Sequence, residues 1–367
     1  MYRHDQRTVM TLDAGGTNFV FSAIRGNQDI VTPVCCPAVS DDLEGCLNVL
    51  LQGFSRVKEQ LHDAPVAISF AFPGPADYKN GVIGDLPNFP VFRGGVALGA
   101  FLEGKFGIPV FINNDGNLFA YGEALAGILP SVNEELASAG NPKRYKNLLG
   151  VTLGTGFGAG VVIDNCLLTG DNGCGGDVWI MRNKKYPDLI AEESVSIRAV
   201  RRVYGELSGE DVSHLTPKDI YDIAEGLRAG HREAAQKSFD ELGEMAGVAI
   251  VSALHIVDGM VVIGGGVSGA AKYILPGMMR EMHRSISTFA GRKFNCLQME
   301  VCNLMEADER KRFLENTVSR VQVPFTDKKV AYDCTKRIGV AISALGTNKA
   351  IALGAYAFAL QQIDRKG

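Results

Sequence analysis

The sequence predicts an α/β protein made of two similar halves. A strand, a glycine-rich turn and a second strand occur near residue 15 and again near residue 157, and mixed helical and strand patterns follow each of them. The chain has 367 residues, which is long for one domain and sufficient for two. We therefore expect two α/β domains with a cleft between them. The smaller is predicted to comprise residues 1–122 and a C-terminal helix at 349–367, and the larger residues 123–348.

The first half alternates strand and helix patterns. Apolar runs on both sides of a glycine turn predict a β-hairpin, and apolar residues at a period of about 3.6 predict the first helix. The predicted elements are, in order, strands 8–12 and 19–24, helix 42–62, strand 66–72, helix 96–106, strand 110–112 and helix 117–125.

The second half repeats the hairpin and then becomes mainly helical. The predicted elements are strand 148–153, glycine turn 154–160, strand 159–163, helices 194–204, 217–227 and 232–256, strand 261–263, helix 272–287 and a final helix 349–362. Residues 292–329 are charged and irregular in pattern, so we expect an insertion or a peripheral element there.

The composition excludes several classes of protein. Hydrophobic residues make up 46% and charged residues 21% of the chain, as in globular rather than disordered proteins. The formal net charge of −4 offers no strong positive field to nucleic acid or to an anionic membrane. Neither a signal peptide nor an apolar run long enough to span a bilayer is visible. We expect a soluble, cytoplasmic protein with no nucleic-acid or membrane partner and with free cysteines, since none of the eight forms a CxxC pair.

Residues 13–17, Asp-Ala-Gly-Gly-Thr, place an acid, two glycines and a hydroxyl in one tight turn. Gly15 and Gly16 let backbone N–H groups approach phosphate oxygens, and Thr17 adds a hydroxyl donor. Asp13 can hold Mg²⁺ through water, because magnesium binds few carboxylates and retains several waters. An ordinary hairpin turn is the alternative interpretation.

Residues 154–160, Gly-Thr-Gly-Phe-Gly-Ala-Gly, form a second turn of the same kind. Gly154, Thr155 and Gly156 are its candidate phosphate-binding residues. One glycine-rich loop is a weak signal, but two such hairpins, one in each half, favour a pair of loops that grip a polyphosphate from both sides.

Residues 261–268, Val-Val-Ile-Gly-Gly-Gly-Val-Ser, end a strand in three glycines. The bare backbone of Gly264, Gly265 and Gly266 offers a flat surface to a purine. The segment matches neither the GxGxxG dinucleotide fingerprint nor the GxxxxGK[ST] phosphate loop. A strand-to-helix turn without a ligand is the alternative.

Residues 113–117, Asn-Asn-Asp-Gly-Asn, follow a predicted strand and precede a predicted helix. Asp115 can accept the proton of an attacking hydroxyl, while Asn114 and Asn117 fix hydroxyl positions. A simple helix cap is the alternative, since Asn and Asp are favoured there.

In this order, these four segments resemble the ROK sugar kinases, within the superfamily that includes actin and the Hsp70 ATPase domain. Residues 13–18 match the family's first phosphate loop, 154–160 its second, 261–268 its adenosine segment and 112–117 the motif of its catalytic aspartate; residues 73–75 and 86–90 match further segments. The resemblance implies a two-domain ribonuclease-H-like ATPase fold that binds ATP and a sugar in its cleft. It also implies that Asp115 is the catalytic base and that the protein is a homodimer.

The sequence departs from the family in the segment that binds the sugar. Asp177 stands at the position of the family's sugar-binding glutamate, and Ile180 replaces a histidine that contacts sugar and zinc. Trp179 replaces a glycine. No cysteine lies between positions 174 and 296, so the family's zinc cluster cannot form and we expect no zinc. Glu192 is the match to the family's later sugar-contacting glutamate.

The expected reaction is transfer of the terminal phosphoryl group of ATP to a hexose, at O6, with Mg²⁺ as the metal ion and Asp115 as the base. Asn114, Asp177 and Glu192 are expected to position the sugar. The sequence leaves open which sugar is used, with an N-acetylhexosamine or fructose as alternatives, and whether ATP or polyphosphate is the donor. A sugar sensor without catalysis is the second hypothesis, because the sugar motif is altered.

Overall fold

The computed structural model describes residues 2–14, 18–74, 76–84 and 90–366. They form two compact units, each made of several chain segments. The first unit comprises Met1–Gly127, Gly160–Gly176 and Leu345–Gly367, and the second comprises Ile128–Ala159 and Asp177–Ala344. Strands and helices are present in both units, so the predicted α/β class is confirmed.

Strands and α-helices are numbered here along the chain. The strands are β1 Val9–Ala14, β2 Asn18–Arg25, β3 Gln28–Asp29, β4 Val34–Pro37, β5 Ala67–Ala71, β6 Ala76–Asp77, β7 Val82–Ile83, β8 Val110–Asn113, β9 Leu148–Leu153, β10 Phe157–Ile163, β11 Cys166–Leu167, β12 Met260–Gly264, β13 Ser285–Ser287, β14 Lys293–Asn295, β15 Glu300–Asn303, β16 Val318–Gln322, β17 Lys329–Asp333 and β18 Arg337–Ile342. The helices are α1 Leu43–Lys58, α2 Leu98–Phe106, α3 Asp115–Ala126, α4 Ile128–Ser138, α5 Ile197–Ser208, α6 Pro217–Glu225, α7 Arg232–Val257, α8 Ala271–Met282, α9 Ala307–Leu314 and α10 Thr347–Lys366.

The first unit is built on a sheet with the order β3-β2-β1-β5-β8, and β4 pairs with residues 18–21 at the start of β2. Strands β1, β5 and β8 are parallel, while β2 is antiparallel to β1. Successive residues of a strand face opposite sides of a sheet. Accordingly, Met10 packs into a core with Phe54 of α1, whereas Val9 packs into a separate core with Tyr356 of α10.

Helices α3 and α10 approach each other at two glycines. A Cβ added to Gly354 would lie 1.8 Å from the Leu118 carbonyl oxygen, and one added to Gly122 would lie 1.9 Å from that of Ala350. Only a residue without a side chain fits such a backbone contact. Part of the glycine content therefore serves helix packing, a use that the sequence analysis did not anticipate.

The second unit is built around a sheet with the order β11-β10-β9-β12-β18-β15. Strands β9, β12, β18 and β15 run parallel. Helices α7 and α8 pack closely against each other. Gly243 permits this contact because it has no side chain: a Cβ there would lie 1.9 Å from the Ile274 carbonyl oxygen.

The interpretation of residues 292–329 as peripheral is wrong for its central part. Strand β15 pairs with β18, and its Val301 and Cys302 are fully buried. The same interval contains α9 and the exposed strands β14 and β16. Partnering in a parallel sheet is non-local, so the short strand β15 carries little local signal.

The two units differ from the predicted division in two places. Residues 160–176 belong to the first unit, and the first boundary falls after Gly127 instead of after residue 122. Strand β10 begins in the second unit and ends in the first. There a Cβ on Gly160 would lie 2.5 Å from the Gly116 carbonyl oxygen, so the strand contacts the start of α3. This contact groups the end of the hairpin with the first unit.

Three further features complete the fold. The helix predicted to reach residue 287 ends at Met282, and β13 follows. All eight cysteines are free, as predicted. Within the described ranges, no helix is both long enough and apolar enough to cross a lipid bilayer.

Candidate functional site

Three parallel strands of the first unit end at one edge of its sheet. Leu12 pairs with Phe70, which in turn pairs with Ile112. The next residues along β1 and β8, Asp13 and Asn113, therefore lie two strand spacings apart, about 10 Å. This is the edge at which parallel α/β sheets bind their ligands.

Asp13 is half-buried, and burial raises the pKa of its carboxyl group. A carboxylate that has lost part of its hydration is stabilised by a nearby cation. No group of three or more histidine, cysteine or acidic side chains that could cage a metal occurs among the described residues. A magnesium ion needs few protein carboxylates because it retains several waters, and a single half-buried carboxylate such as that of Asp13 is compatible with it.

The Asn-Asn-Asp-Gly-Asn segment forms a hydrogen-bonded start to α3. Asn114 is the N-cap, and its side-chain oxygen accepts a bond of 2.6 Å from the Asn117 backbone N–H. The buried Asn113 accepts from the Asn114 N–H and from the Asn117 side-chain amide, both at 2.9 Å. The segment is a helix cap, and the cap also fixes the position of the residue that follows Asn114.

That residue, Asp115, is exposed in the first turn of α3. Its Oδ1 accepts one hydrogen bond of 2.8 Å from the Gly116 N–H. Each oxygen of a carboxylate has two lone pairs, so acceptor capacity remains for a substrate hydroxyl. Asn117, by contrast, is buried and directed inward.

Residues Gly15, Gly16 and Thr17 of the first glycine turn lie outside the described residues, as do Pro75 and 85–89 of the two further family segments. The strands on both sides of the turn are in place, since β1 and β2 pair from Val9 with Ile24 to Ala14 with Phe19.

In the second unit, two glycine segments lie at the ends of neighbouring parallel strands. Thr152 of β9 pairs with Gly264 of β12, so the turns that follow both strands start at one sheet edge. Gly265 has φ of +89°, and a Cβ there would lie 2.2 Å from the Leu153 carbonyl oxygen. Only glycine meets both requirements. Gly154 and Thr155 therefore stand beside Gly265 and Gly266.

Glu192 contacts the second glycine turn directly. Its Oε2 accepts a hydrogen bond of 3.0 Å from the Phe157 backbone N–H. A Cβ on Gly156 would lie 2.6 Å from the same oxygen, so the glycine makes room for the carboxylate. One bond per oxygen leaves Glu192 able to accept from a ligand as well.

Arg198 links Glu192 to the turn and was not identified from the sequence. Its guanidinium donates to the Thr155 carbonyl oxygen at 3.2 Å, to Glu192 at 3.1 Å and to Glu193 at 3.2 Å. The Ile197 N–H, at the start of α5, donates to the Gly154 carbonyl oxygen. The bond to Thr155 joins segments that lie 43 positions apart in the sequence, so no local pattern indicated this role.

The altered sugar segment forms a short 3-10 helix, Val178–Ile180, preceded by Asp177. Asp177 is exposed and makes no capping hydrogen bond. Trp179 and Ile180 are also exposed, at 38% and 58%. These side chains are therefore available to a ligand rather than part of the core.

Comparison with known proteins identifies the family. The ROK family matches residues 9–308. A glucokinase of Thermotoga maritima is 29% identical over 74% of this chain and 85% of its own length. An N-acetyl-D-glucosamine kinase of Photobacterium profundum is 25% identical over 70% of this chain and 83% of its own.

Solved structures give the same result. A glucokinase from Parabacteroides distasonis is 61% identical, with a TM-score of 0.89 over 98% of this chain and 99% of that one. A ROK family glucokinase from Streptomyces griseus, solved with glucose and AMPPNP, shares the fold, with a TM-score of 0.59, 19% identity and coverage of 95% and 98%. As its motifs predicted, the chain belongs to the ROK family.

Proposed function

We propose that this protein is a glucokinase-like enzyme that transfers the terminal phosphoryl group of ATP to O6 of a hexose. The observation that carries the proposal is the exposed Asp115, held by a hydrogen-bonded cap at the carboxyl edge of the first sheet. The 61% identity to a glucokinase over almost the whole chain supports glucose as the first candidate substrate.

Asp115 acts as the general base in this proposal. A sugar hydroxyl bonded to its free lone pairs gives up its proton to the carboxylate as the oxygen attacks phosphorus. The position at the start of α3 suits this step, because the bond from Gly116 and the cap at Asn114 keep the carboxylate in place. Asn114 is proposed to bond a neighbouring hydroxyl.

The glycine segments are proposed to bind ATP. Backbone N–H groups at Gly154–Gly156 and in the first turn, at Gly15, Gly16 and Thr17, would bond phosphate oxygens. The strand end at Gly264–Gly266 would lie along the adenosine. A magnesium ion near Asp13 would neutralise charge on the phosphates, and Asp13 is the described residue that fits it.

Glu192 and Asp177 are proposed to complete the sugar site. Glu192 would bond a sugar hydroxyl while it remains bonded to Phe157, so that an occupied sugar site steadies the second glycine turn. Asp177 is exposed and could accept from another hydroxyl. An N-acetylhexosamine is a second candidate acceptor, supported by the N-acetyl-D-glucosamine kinase relative.

The test is release of ADP from Mg-ATP with a panel of hexoses, hexosamines and N-acetylhexosamines, with the sugar phosphate identified by NMR. Glucose is expected to stimulate release most and to yield glucose 6-phosphate. Asp115→Asn is expected to bind ATP and sugar normally and to lose about 10²–10⁴-fold in turnover. Asp41→Asn, at another exposed aspartate of the first unit, is the control and should keep full turnover.

Three results would contradict parts of this proposal. Wild-type turnover in Asp115→Asn would exclude Asp115 as the base. Phosphorylation at another hydroxyl would exclude O6. If calorimetry shows sugar binding but no sugar stimulates ADP release, kinase activity is excluded and the sugar-sensor hypothesis remains. The family's glutamate and histidine would then be restored first, at Asp177 and Ile180.

A further inference from the structure

The second glycine turn is a three-residue connection between two fixed strands. Leu153 ends β9 and Phe157 begins β10, and both side chains are fully buried. Between them, Gly154 and Gly156 are half-buried and Thr155 is exposed. A peptide unit next to glycine rotates at little steric cost. The backbone groups of this turn therefore need contacts from outside it to keep one orientation.

All three carbonyl oxygens of the turn accept hydrogen bonds. The Gly154 oxygen accepts from the Ile197 N–H at 2.9 Å, and the Thr155 oxygen accepts from the Arg198 guanidinium at 3.2 Å. The Gly156 oxygen accepts from the Gly154 N–H at 3.0 Å, within the turn itself. The two contacts from outside the turn thus come from the first two residues of α5.

These contacts set the direction of two N–H groups. In a planar trans peptide, the C=O of one residue and the N–H of the next point in opposite directions. Because the Gly154 and Thr155 oxygens face α5, the N–H groups of Thr155 and Gly156 point away from that helix. Within the described part of the chain, neither N–H group has a hydrogen-bond partner. Both are therefore free to donate to a phosphate bound at the turn.

Arg198 holds the Thr155 carbonyl from a fixed position. It lies in the first turn of α5, and the helix is anchored in the core by the buried residues Ala199, Val200, Val203 and Tyr204. A guanidinium presents its N–H donors in a planar fork, so it can hold several acceptors in one geometry. Its Nη1 bonds Thr155, and its Nη2 bonds the carboxylates of Glu192 and Glu193 at 3.1 and 3.2 Å.

The two carboxylates do not contribute equally to this arrangement. The Glu193 side chain is 45% exposed, and an exposed ion pair contributes little. The Glu192 side chain is 22% exposed, and its other oxygen accepts from the Phe157 N–H. Arg198 therefore contacts the turn at Thr155 directly and is linked through Glu192 to the strand that follows the turn.

We propose that Arg198 is a positioning residue that directs the N–H groups of the second glycine turn toward the ATP phosphates and links them to sugar bound at Glu192. This inference rests on the proposed function, in which the turn binds ATP and Glu192 binds the sugar. A sugar hydroxyl bonded to Glu192 fixes the carboxylate, the carboxylate holds the guanidinium, and the guanidinium holds the Thr155 carbonyl. Sugar therefore tightens ATP binding, and ATP tightens sugar binding by the same factor.

The test measures binding without turnover. Calorimetry gives the dissociation constant of Mg-AMPPNP, an ATP analogue that does not transfer its terminal phosphoryl group, with and without the tightest-binding sugar of the panel. In the wild type, the sugar is expected to tighten AMPPNP binding by about 5–150-fold. Arg198→Gln should abolish this effect and raise the KM for ATP at saturating sugar by about the same factor. Its kcat should fall less than its KM rises, since Asp115 is unchanged.

Two further variants separate positioning from charge and from stability. Lysine keeps the positive charge but lacks the planar fork, so Arg198→Lys should lose the sugar effect as Arg198→Gln does. Arg201→Gln, on the same helix, is the matched control. Arg201 also donates to two backbone carbonyl oxygens, those of Val212 and Ser213, and among the described residues it has no hydrogen bond to the turn or to Glu192. This control should keep the full sugar effect, whatever its melting temperature.

Three results would overturn the role of Arg198. The first is a wild type in which sugar does not tighten AMPPNP binding, and the second is an unchanged sugar effect in Arg198→Gln. The third is an equal loss of AMPPNP affinity with and without sugar that Arg198→Lys restores, because Arg198 would then contact the phosphates directly. Absence of sugar-stimulated ADP release in the wild type contradicts the kinase instead, and the binding data still decide the role of Arg198.

Discussion

At the scale of single residues, the role proposed for Asp13 conflicts with its effect on stability. Burial raises the pKa of its carboxyl group, so the charged form is disfavoured in the folded protein. Asp13→Asn is expected to raise the melting temperature by about 1–3 °C while it lowers turnover by about 100-fold. The stability gain should shrink as the pH falls through the raised pKa, because the wild-type carboxyl then becomes neutral. Thermal unfolding at several pH values and steady-state kinetics measure both effects.

Asp5 provides a control of opposite sign. Hydrogen bonds from Arg7 lower the pKa of the Asp5 carboxyl, so its charge stabilises the fold above its unfolded pKa, and this stabilisation is lost as the pH falls through the lowered value. Asp5→Asn is therefore expected to lower the melting temperature at neutral pH. If Asp13→Asn lowered it too, Asp13 would have a stabilising partner in the fold and would not be free for a cation.

Individual site residues could be predicted where their signal is local. Asp115 and the glycine segments stand in short motifs whose chemistry is visible in the sequence, and the ROK resemblance they carried is confirmed. Arg198 could not be predicted, because its bonds to Thr155 and Glu192 depend on how distant segments fold together. The roles assigned to Asp115, to the glycine segments, to Asp177 and to Glu192 all stay predictions.

At the scale of elements, the contact between α3 and α10 is set by glycine. A Cβ on Gly354 would lie 1.8 Å from the Leu118 carbonyl oxygen, which is backbone and cannot move aside. Gly354→Ala is expected to force the helices apart and to lower the free energy of unfolding by about 2–3 kcal/mol. Urea unfolding measures the change.

The control is Gly104→Ala in α2. Gly104 is exposed, and an added Cβ would contact nothing within 4 Å. Alanine is the better helix former, so this variant should gain about 0.5–1 kcal/mol. Equal effects of the two substitutions would show that helix propensity, and not the close contact, decides the stability at Gly354.

The elements themselves could be predicted where their periodicity is strong. Helix α7 was predicted at 232–256 and runs from Arg232 to Val257, and β9 matches its predicted bounds. Strands β15 and β18 were missed, because short strands acquire their identity from parallel pairing with each other. The hairpins at 285–295 and 318–333 were missed as well, because residues 285–287 were assigned to the end of a helix and residues 292–329 were interpreted as irregular.

At the scale of the whole molecule, the end of the chain completes the unit in which the chain begins. Helix α10 buries Leu353, Tyr356 and Leu360 against Val9 and Ile24 of the first two strands. The Tyr356 hydroxyl accepts a bond from the Gly26 N–H, and Arg7 bonds Asp364 at 2.6 Å. The fold of the first unit therefore requires residues more than 300 positions apart in sequence.

Removal of residues 345–367 is expected to unfold the first unit. Each large apolar side chain that loses its cover costs about 1.5–3 kcal/mol, and both sides of the α10 contact lose theirs. The total approaches the whole stability of a domain, about 5–15 kcal/mol. Limited proteolysis of the truncated chain should cut within residues 1–127 and spare the second unit, and the melting transition of the first unit should vanish.

Removal of residues 365–367 alone is the matched control, since Arg365 is exposed and the contacts of α10 remain. If the longer truncation melted like the control, the sheet of the first unit would hold without α10, and the buried contacts at Tyr356 would contribute little to its stability.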